Sequence, residues 1–345
     1  MGESGMWHNE GVAVDDIPGC PLCGGEGRDL YRDLRDRYWR APGVWSLRAC
    51  QACGHIWLSP RPLPEEVGKL YGAYYTHSVR DRGRPSALGL RLRQAVLAGL
   101  GYAPRPVDRR DAIFARFLPL FPLVRESVER ELRFVRGPPR GALLDIGCGD
   151  GSFLAEMRDL GWRVVGLEPD PVAAEIARDR GVEVIQSPIE SADLAEGRFD
   201  AVTMNHVIEH VTDPVRALDL CRRALREEGA IVIVTPNAKS WGHRRFREAW
   251  FHLDPPRHLH LFTAENLRRC ANRAGLHVTG MRTCAAGAQE VRQGSRAIRA
   301  TGRFEFPQEQ AGFSPGDRAF RYAEWALARV SPEAGEELLV FGSSA

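Results

Sequence analysis

The sequence lacks a long hydrophobic run, because no apolar stretch approaches the roughly 18 residues that a membrane-spanning helix requires. Its first 19 residues are acidic and lack a cationic start followed by an apolar block, which argues against a secretory signal. Lysine is also scarce: only two of the 47 cationic residues are lysine, and we attribute this preference for arginine to a G/C-rich genome. We therefore expect a globular, cytoplasmic protein without a membrane span.

A large excess of one charge is missing as well, since 47 Lys and Arg face 45 Asp and Glu. The balance is uneven along the chain: residues 1–140 hold 22 cationic and 16 acidic side chains, and residues 141–345 hold 25 and 29. Most of the positive excess lies in an arginine-rich stretch from Arg80 to Arg140, which could bind phosphate but is more often a solvated helix face. Charge alone therefore does not establish nucleic-acid binding.

The eight cysteines divide into a patterned group and an unpatterned group. Cys20 and Cys23 form one CxxCG turn, and Cys50 and Cys53 form a second turn after an interval of 26 residues. Two such turns bring four thiolates to one tetrahedral Zn²⁺, whereas a redox CxxC needs only one pair and a cytoplasmic location disfavours disulfides. Because four thiolates leave no open position, we expect structural zinc. The unpatterned cysteines are expected to be ordinary buried side chains: Cys148, Cys221, Cys270 and Cys284.

Changes in composition divide the chain into four parts. A flexible tail over residues 1–18 precedes a zinc ribbon over 19–62, and helical spacing interrupted by Pro and Gly predicts a helical connector or cap over 63–136. Over 137–345, short apolar runs alternate with helices, which indicates an α/β fold with a parallel sheet and helices on both faces. The predicted elements there are strands 142–147, 163–168, 182–186 and 199–204, another strand in "AIVIVTPN", and helices 151–160, 171–180 and 214–227.

The stretch "ALLDIGCGDGSFL" turns a buried strand into a glycine turn at the carboxyl edge of this sheet, where open α/β sheets bind ligands. Its glycines follow GxGxG, and Ser152 stands where a dinucleotide-binding GxGxxG would need its last glycine. No GK[ST] follows, which excludes an ATP-binding P-loop. The pattern therefore predicts a tight turn that a ligand can approach closely, preceded by the strand carboxylate Asp145.

These residues resemble the first motif of class I S-adenosylmethionine (SAM)-dependent methyltransferases, and the resemblance covers residues 137–345. It implies SAM as cofactor and a Rossmann-like seven-stranded sheet, completed by strands near "GLHVTGMRT" and "ELLVFGSSA". Asp145 would orient the ammonium group of SAM, and Glu168, which ends the second strand, would accept its ribose hydroxyls. The cofactor-binding residues that the resemblance implies are Asp145, Gly147, Cys148, Gly149, Glu168, Pro169, Ile189, Glu190 and Asn205. The four-cysteine ribbon also resembles that of bacterial methyltransferases with an N-terminal zinc ribbon.

The segment "MNHVIEHVTDP" follows the fourth strand and places the HxxEH pattern of His206, Glu209 and His210 beside the expected cofactor. The same pattern marks inverted zinc proteases, but a segment that leaves a parallel strand of this sheet does not suit that fold. Methyl transfer needs an aligned acceptor and removal of its proton. The catalytic candidates are His206, Glu209, His210 and His260. Three roles are open: a histidine base without a metal, a catalytic divalent cation, or a structural pair of Glu209 and His210.

The HxxEH pattern, together with the histidines of "HLDPPRHLHLF", resembles the ExxEH plus distal histidine of ubiquinone-pathway O-methyltransferases and small-RNA 3′-terminal methyltransferases. In those enzymes the groups hold a metal against the accepting hydroxyl. Here His206 replaces the first glutamate, and the mixed nitrogen and oxygen set favours zinc, manganese or iron over magnesium. Side chains that could line a substrate pocket are His258, Trp250, Tyr74 and Tyr75.

We therefore expect an enzyme that methylates an oxygen, nitrogen or carbon atom of a small molecule such as a sugar, a glycolipid precursor or a specialised metabolite. An rRNA methyltransferase is an alternative, because some of these enzymes carry an N-terminal zinc knuckle and the arginine-rich connector could follow phosphates. The balanced charge and the lack of an Asn-Pro-Pro-aromatic element count against RNA as substrate. A SAM-binding scaffold without catalysis is the third alternative.

Overall fold

The N-terminal part folds into two small sheets. A computed structural model of the chain describes residues 7–70, 87–102, 122–136, 141–305 and 312–344. The first of these ranges contains β1 (Trp7–Asn9), β2 (Val12–Asp15), β3 (Gly27–Leu34), β4 (Trp45–Cys50), β5 (Ile56–Leu58), β6 (Arg61–Pro62) and a 3₁₀ helix over Pro64–Leu70. Strands β1, β2 and β6 form one sheet, and β3, β4 and β5 belong to the other.

Strands β1 and β2 correct the expectation of a flexible tail over residues 1–18. Val12 and Val14 are fully buried in the same hydrophobic cluster as Trp45 of β4. β2 also pairs antiparallel with β6, which satisfies its backbone hydrogen bonds. The acidic composition concealed this strand, because its stability comes from a few apolar side chains that contact residues far along the chain.

The four patterned cysteines converge on one point of the zinc ribbon. Cys20 Sγ lies 3.7 Å from Cys53 Sγ, and Cys23 Sγ lies 3.5 Å from the sulfurs of both Cys50 and Cys53. Four sulfurs bound to Zn²⁺ at about 2.3 Å would lie about 3.8 Å apart at the corners of a tetrahedron. The thiols therefore fit the structural zinc ion that the spacing predicted.

Two helices of the expected connector cover one face of the central sheet: α1 (Ala87–Gly99) and α2 (Pro122–Glu131). Val96 of α1 and Val128 of α2 share a hydrophobic cluster with Leu143, which lies in the sheet. The described part of the connector is thus helical, as its spacing predicted, and it belongs to the core of the following domain. Tyr74 and Tyr75 lie outside the described residues.

The central sheet has seven strands in the order β13-β14-β11-β10-β7-β8-β9. Its strands are β7 (Ala142–Ile146), β8 (Arg163–Leu167), β9 (Glu183–Ile185), β10 (Phe199–Asn205), β11 (Leu225–Pro236), β13 (His277–Cys284) and β14 (Glu337–Ser343), and a short β12 (His260–Leu261) lies outside this sheet. The expectation of a parallel sheet holds for β7 to β11, whereas β14 runs antiparallel to both neighbours. The two strands near the C-terminal motifs complete the sheet as expected.

Helices lie on both faces of this sheet. The helices of this domain are α3 (Ser152–Asp159), α4 (Pro171–Asp179), α5 (Pro214–Ala224), α6 (Trp241–Phe246), α7 (Ala264–Arg273), α8 (Ala288–Thr301) and α9 (Pro315–Val330). Alternate residues of β7 contribute to two different hydrophobic clusters, with Leu144 and Ile146 in one and Leu143 in the other. The helix predicted over 214–227 ends earlier, at Ala224, because Leu225 begins β11. No helix in the described ranges is long and apolar enough to span a bilayer.

The zinc ribbon is joined to the α/β domain by a shared sheet. β12 pairs antiparallel with β5, so the ribbon sheet has the order β12-β5-β4-β3. Asn266 Nδ2 donates to the carbonyl oxygen of Cys53 at 2.9 Å, which fixes α7 against the second CxxCG turn. A single hydrophobic cluster contains Trp45 of the ribbon together with Trp250 and Leu261 of the α/β domain. The ribbon and the domain therefore share a core.

We expect the purified protein to contain one zinc ion per chain and the Cys50→Ser variant to lose it, because three thiolates and a serine hydroxyl bind Zn²⁺ more weakly. The variant should also unfold at a lower temperature, since the ribbon depends on its metal. Metal analysis and thermal unfolding measure the two effects. Cys270→Ser is the matched control, because this buried thiol lies outside the cluster and its variant should keep the zinc. Zinc retained by Cys50→Ser would contradict the assignment.

Candidate active site

The glycine turn between β7 and α3 has a backbone that glycine adopts far more easily than other residues. Gly147, Gly149 and Gly151 have φ values of +68°, +57° and +71°. A Cβ atom at Gly147 would lie 2.5 Å from Val207 Cγ2, so the chain after β10 leaves no space for a side chain there. The turn therefore presents backbone, not side chains, at the carboxyl edge of the sheet.

Asp145 lies at the base of this turn and is fully buried. Its Oδ1 accepts a hydrogen bond from Thr203 Oγ1 at 2.7 Å and also pairs with the guanidinium of Arg133. Burial raises the pKa of Asp145 to about 6, although the Arg133 charge opposes this shift. Its Oδ2 is buried and has no hydrogen-bond partner among the described residues. The carboxyl group can therefore take one more donor, such as an ammonium group.

Glu168, at the end of β8, is hydrogen-bonded to the same turn. Its Oε2 accepts from the Gly149 N–H at 2.8 Å and its Oε1 from the Asp170 N–H at 3.0 Å. Burial raises the pKa of this carboxyl group. Cys148, within the turn, is buried, and its sulfur lies against the backbone of Gly166 on β8. These contacts bring the first predicted cofactor residues together at the ends of two adjacent strands.

The remaining predicted cofactor residues lie at the ends of nearby strands. Ile189 is buried in a 3₁₀ helix after β9, and Glu190 Oε1 accepts from the Thr212 N–H at 3.2 Å. That hydrogen bond joins the loop after β9 to the loop after β10. Asn205 is the last residue of β10, and Pro169 follows Glu168 directly. The set is thus spread along the carboxyl edge around β7, as ligand sites of open α/β sheets are.

His206 follows β10 with an unusual positive φ of +54°. Its Nδ1 lies 3.2 Å from Glu209 Oε1, and its Nε2 lies 3.2 Å from Glu337 Oε1. Burial opposes a charge on the ring, but the two carboxylates outweigh it and raise the pKa of His206 to about 9. At neutral pH the ring is therefore an imidazolium that donates from Nε2 to Glu337 and forms an ion pair with Glu209. In this state it has no lone pair with which to accept a proton.

Glu209, His210 and His258 form a compact group whose ligand atoms all lie within 4.8 Å of one another. His210 Nδ1 lies 3.0 Å from the carbonyl oxygen of Arg257, and His258 Nδ1 lies 2.8 Å from that of His252. Because a carbonyl oxygen only accepts, each Nδ1 carries the proton and each Nε2 keeps a lone pair.

The charge states of this group suit a cation. Burial lowers the pKa of both His210 and His258 to about 4, so these rings are neutral at pH 7. Burial would raise the pKa of Glu209, but the His206 imidazolium lowers it to about 2, so the carboxylate is ionised. Two neutral imidazoles and one carboxylate are a donor set that fits zinc, manganese or iron. The group that the sequence pattern predicted is therefore able to hold a divalent cation.

His260 lies apart from this group. It belongs to β12, is buried, and its Nδ1 lies 3.0 Å from Nε2 of His55 in the zinc ribbon. Its backbone N–H donates to the carbonyl oxygen of Glu209 at 3.1 Å. The structure thus brings three of the four predicted catalytic side chains together and places the fourth where the ribbon meets the α/β domain.

Trp250 is fully buried and does not line an open surface. Its Nε1 donates to Glu336 Oε2 at 2.9 Å, and its ring stacks on His243 with the centroids 4.5 Å apart. The neighbouring His252 stacks on His206 at 5.7 Å, and its buried Nε2 has no hydrogen-bond partner within the described ranges. His252, not Trp250, is therefore the side chain of this segment with an unpartnered ring nitrogen next to the cluster.

Arg133, His252 and Glu337 were not singled out from the sequence. Arg133 belongs to an arginine-rich stretch without a motif, yet its guanidinium lies 4.1 Å from the centroid of the Phe153 ring and pairs with Asp145. Glu337 begins β14, is fully buried and pairs with the partly exposed Arg130 at 2.6 Å. Of these three residues, only His252 could have been found from the sequence, because it lies in the histidine-rich segment six residues before His258.

Comparison with known proteins places these features in a family. Residues 116–280 match the family described as a methyltransferase domain. A ubiquinone biosynthesis O-methyltransferase of Alkalilimnicola ehrlichii is 37% identical over 102 residues, which are 28% of this chain and 41% of that protein. The enzyme of the same name from Cereibacter sphaeroides is 39% identical over 101 residues, again 28% and 41% of the two chains. The chain thus spans less than half the length of these curated relatives.

Solved structures are more distantly similar. A SAM-dependent methyltransferase of Thermotoga maritima, described as a possible histamine N-methyltransferase, has a TM-score of 0.42 and 21% identity, over 68% of this chain and 95% of that chain. The geranyl diphosphate C-methyltransferase of Streptomyces coelicolor A3(2) has a TM-score of 0.48 and 14% identity, over 83% and 100% of the two chains. The assignment rests on the family match, which includes the glycine turn, Glu168 and the HxxEH pattern. Residues 116–280 of this chain are therefore similar to a methyltransferase domain.

Proposed function

We propose that this chain transfers the methyl group of SAM to a hydroxyl oxygen of a small molecule. The observation that carries the proposal is the group of Glu209, His210 and His258, which can hold a divalent cation at the carboxyl edge of the sheet. The names of the curated relatives, O-methyltransferases of ubiquinone biosynthesis, support oxygen as the acceptor atom over nitrogen or carbon. The proposed substrate is therefore a hydroxyl-bearing small molecule.

The glycine turn and its neighbours would bind the methyl donor. The unpartnered Oδ2 of Asp145 can accept from the ammonium group of SAM, with Arg133 holding the other carboxylate oxygen in place. The Glu168 carboxylate lies beside the turn and is positioned to accept from ribose hydroxyls. The glycines would let the backbone of the turn approach the amino-acid moiety closely.

The cluster favours a cation-assisted reaction over a metal-free histidine base. As a metal-free base, His206 would have to be neutral, but the carboxylates of Glu209 and Glu337 keep that ring protonated. His210 and His258 are neutral, but burial lowers the pKa of both rings to about 4, which makes them weak bases. A divalent cation held by Glu209 and the two Nε2 atoms would lower the pKa of an acceptor hydroxyl, as it does for bound water. The protonated His206 would hold Glu209 in position, and the proton that the hydroxyl loses would pass to solvent.

Gly147→Ala should weaken SAM affinity at least about tenfold, because a Cβ at this positive φ costs about 1–2 kcal/mol and would also contact Val207 at 2.5 Å. Isothermal titration of SAM measures the effect. Gly197→Ala is the matched control: its φ is +60°, but a Cβ there meets nothing within 4 Å. The control should bind SAM within about twofold of the wild type, since only backbone strain is added. Equal affinities in the two variants would remove the turn from the cofactor site.

Transfer of labelled methyl groups from SAM into an extract of the native organism lacking this protein tests the proposed reaction. We expect label in O-methyl groups of the small-molecule fraction. Glu209→Gln should lower transfer at least about 100-fold, because it removes the anionic oxygen that binds the cation, while SAM affinity stays near that of the wild type. Glu196→Gln is the control, since this carboxylate pairs with Arg223 at the exposed surface and should change nothing.

The fraction that carries the label decides between the candidate functions. Label in RNA would replace the small-molecule proposal with an RNA methyltransferase. Full activity of Glu209→Gln, or label in N-methyl or C-methyl groups, would reject the cation-assisted transfer to oxygen. SAM binding without label in any fraction would favour a binding protein.

A further inference from the structure

A buried ion pair links the zinc ribbon to the histidine cluster. Asp36 lies in the ribbon, in the loop between β3 and β4, and Arg257 lies in the α/β domain. The Arg257 guanidinium donates to both oxygens of Asp36, Nη1 at 2.8 Å and Nη2 at 2.6 Å, and both side chains are fully buried. This bidentate geometry fixes the position and the orientation of the Arg257 side chain.

The same arginine supports the histidine cluster through its backbone. Its carbonyl oxygen accepts the Nδ1–H of His210, the bond that turns the His210 Nε2 toward Glu209. The N–H groups of Arg257 and of His258 both donate to the carbonyl oxygen of Asp254, at 2.9 and 3.1 Å. The Asp254 side chain also pairs with the Arg257 guanidinium at 2.5 Å. Any displacement of Arg257 would therefore move both histidines of the cluster.

Further ribbon contacts hold the same segment before and after Arg257. The hydroxyl of Tyr38 donates to the carbonyl oxygen of Phe251. After Arg257, the Leu58 N–H donates to the carbonyl oxygen of Leu259 at 3.0 Å. Strand β5 then pairs with β12. Residues 251–261 are thus anchored to the ribbon from one end to the other.

We propose that the zinc ribbon is a positioning element of the methyl-transfer site and that Asp36 is the positioning residue through which it acts. The Asp36 carboxylate holds Arg257, and Arg257 holds His210 and His258 with their Nε2 atoms toward Glu209. This inference rests on the proposed function for the role of the cluster. It assigns the ribbon a part in building the cation site, which lies in a different domain of the chain.

Two variants break the link while avoiding an unpaired buried charge. Asp36→Asn leaves Arg257 paired with Asp254. Arg257→Lys keeps a positive charge next to Asp254, but a lysine cannot form the bidentate contact with Asp36. It also leaves intact the hydrogen bonds that Asp36 accepts from Tyr38 and Ala41 in its own loop. Glu10→Gln is the control, because Glu10 forms an exposed ion pair with Arg35, next to Asp36 in the sequence.

The experiment uses the full, zinc-loaded chain and Mn²⁺ as the probe. Asp36→Asn and Arg257→Lys should weaken Mn²⁺ binding about 10- to 100-fold, the range for residues that orient metal ligands, and leave SAM affinity within about twofold. Hydrogen exchange should become faster in residues 251–261 and stay unchanged in the glycine turn. The control should match the wild type in every measurement.

Unchanged Mn²⁺ affinity and unchanged exchange in both variants would overturn the proposal. Loss of SAM binding together with Mn²⁺ binding would also overturn it, because the ion pair would then support the whole fold. If the wild-type chain binds no Mn²⁺, the cation part of the proposed function fails. Hydrogen exchange then decides the inference alone: faster exchange confined to residues 251–261 supports it, and unchanged exchange rejects it.

Discussion

The candidate site depends on one buried negative charge, the carboxylate of Glu209. An ionised carboxylate without access to water is unfavourable unless donors and positive charge surround it. Thr235 on β11 supplies a hydroxyl at 2.9 Å, and His206 supplies an imidazolium at 3.2 Å. The backbone carbonyl of Glu209 accepts the N–H groups of Leu259 and His260. Two strands of the central sheet and the segment before α7 therefore converge on one residue.

A second buried carboxylate, Glu337 on β14, is also compensated by nearby positive charge. His206 lies between Glu209 and Glu337, and Arg130 of α2 pairs with Glu337 from the other side. Two positive and two negative groups thus form one chain of contacts across the sheet. The connector helix α2 consequently contributes to the electrostatics of the site. So does β14, a strand that the sequence predicted without its antiparallel direction.

The structural role of the zinc ribbon follows from the same segment. A four-cysteine module is usually interpreted as an independent unit, yet here β12 of the α/β domain completes its sheet. The buried pair of Asp36 and Arg257 lies at that junction. Because protein interiors are close-packed and deform little, such a junction transmits position from the ribbon to the histidines. The four-cysteine ribbon and the histidine cluster are therefore joined through one packed junction.

Elements with a local signal can be predicted from the sequence: the two CxxCG turns, the GxGxG turn after a buried strand, the acidic residue that ends the next strand, and the HxxEH pattern. The residues that form each of these patterns lie within one turn or one βαβ unit. Their spacing in the sequence is therefore enough to predict them. The pairs of distant side chains become visible only in the folded chain: Asp36 with Arg257, 221 positions apart, His55 with His260, 205 apart, and His206 with Glu337, 131 apart. Spacing carries no information about such pairs, because the packing of the sheet against the ribbon determines which distant side chains meet.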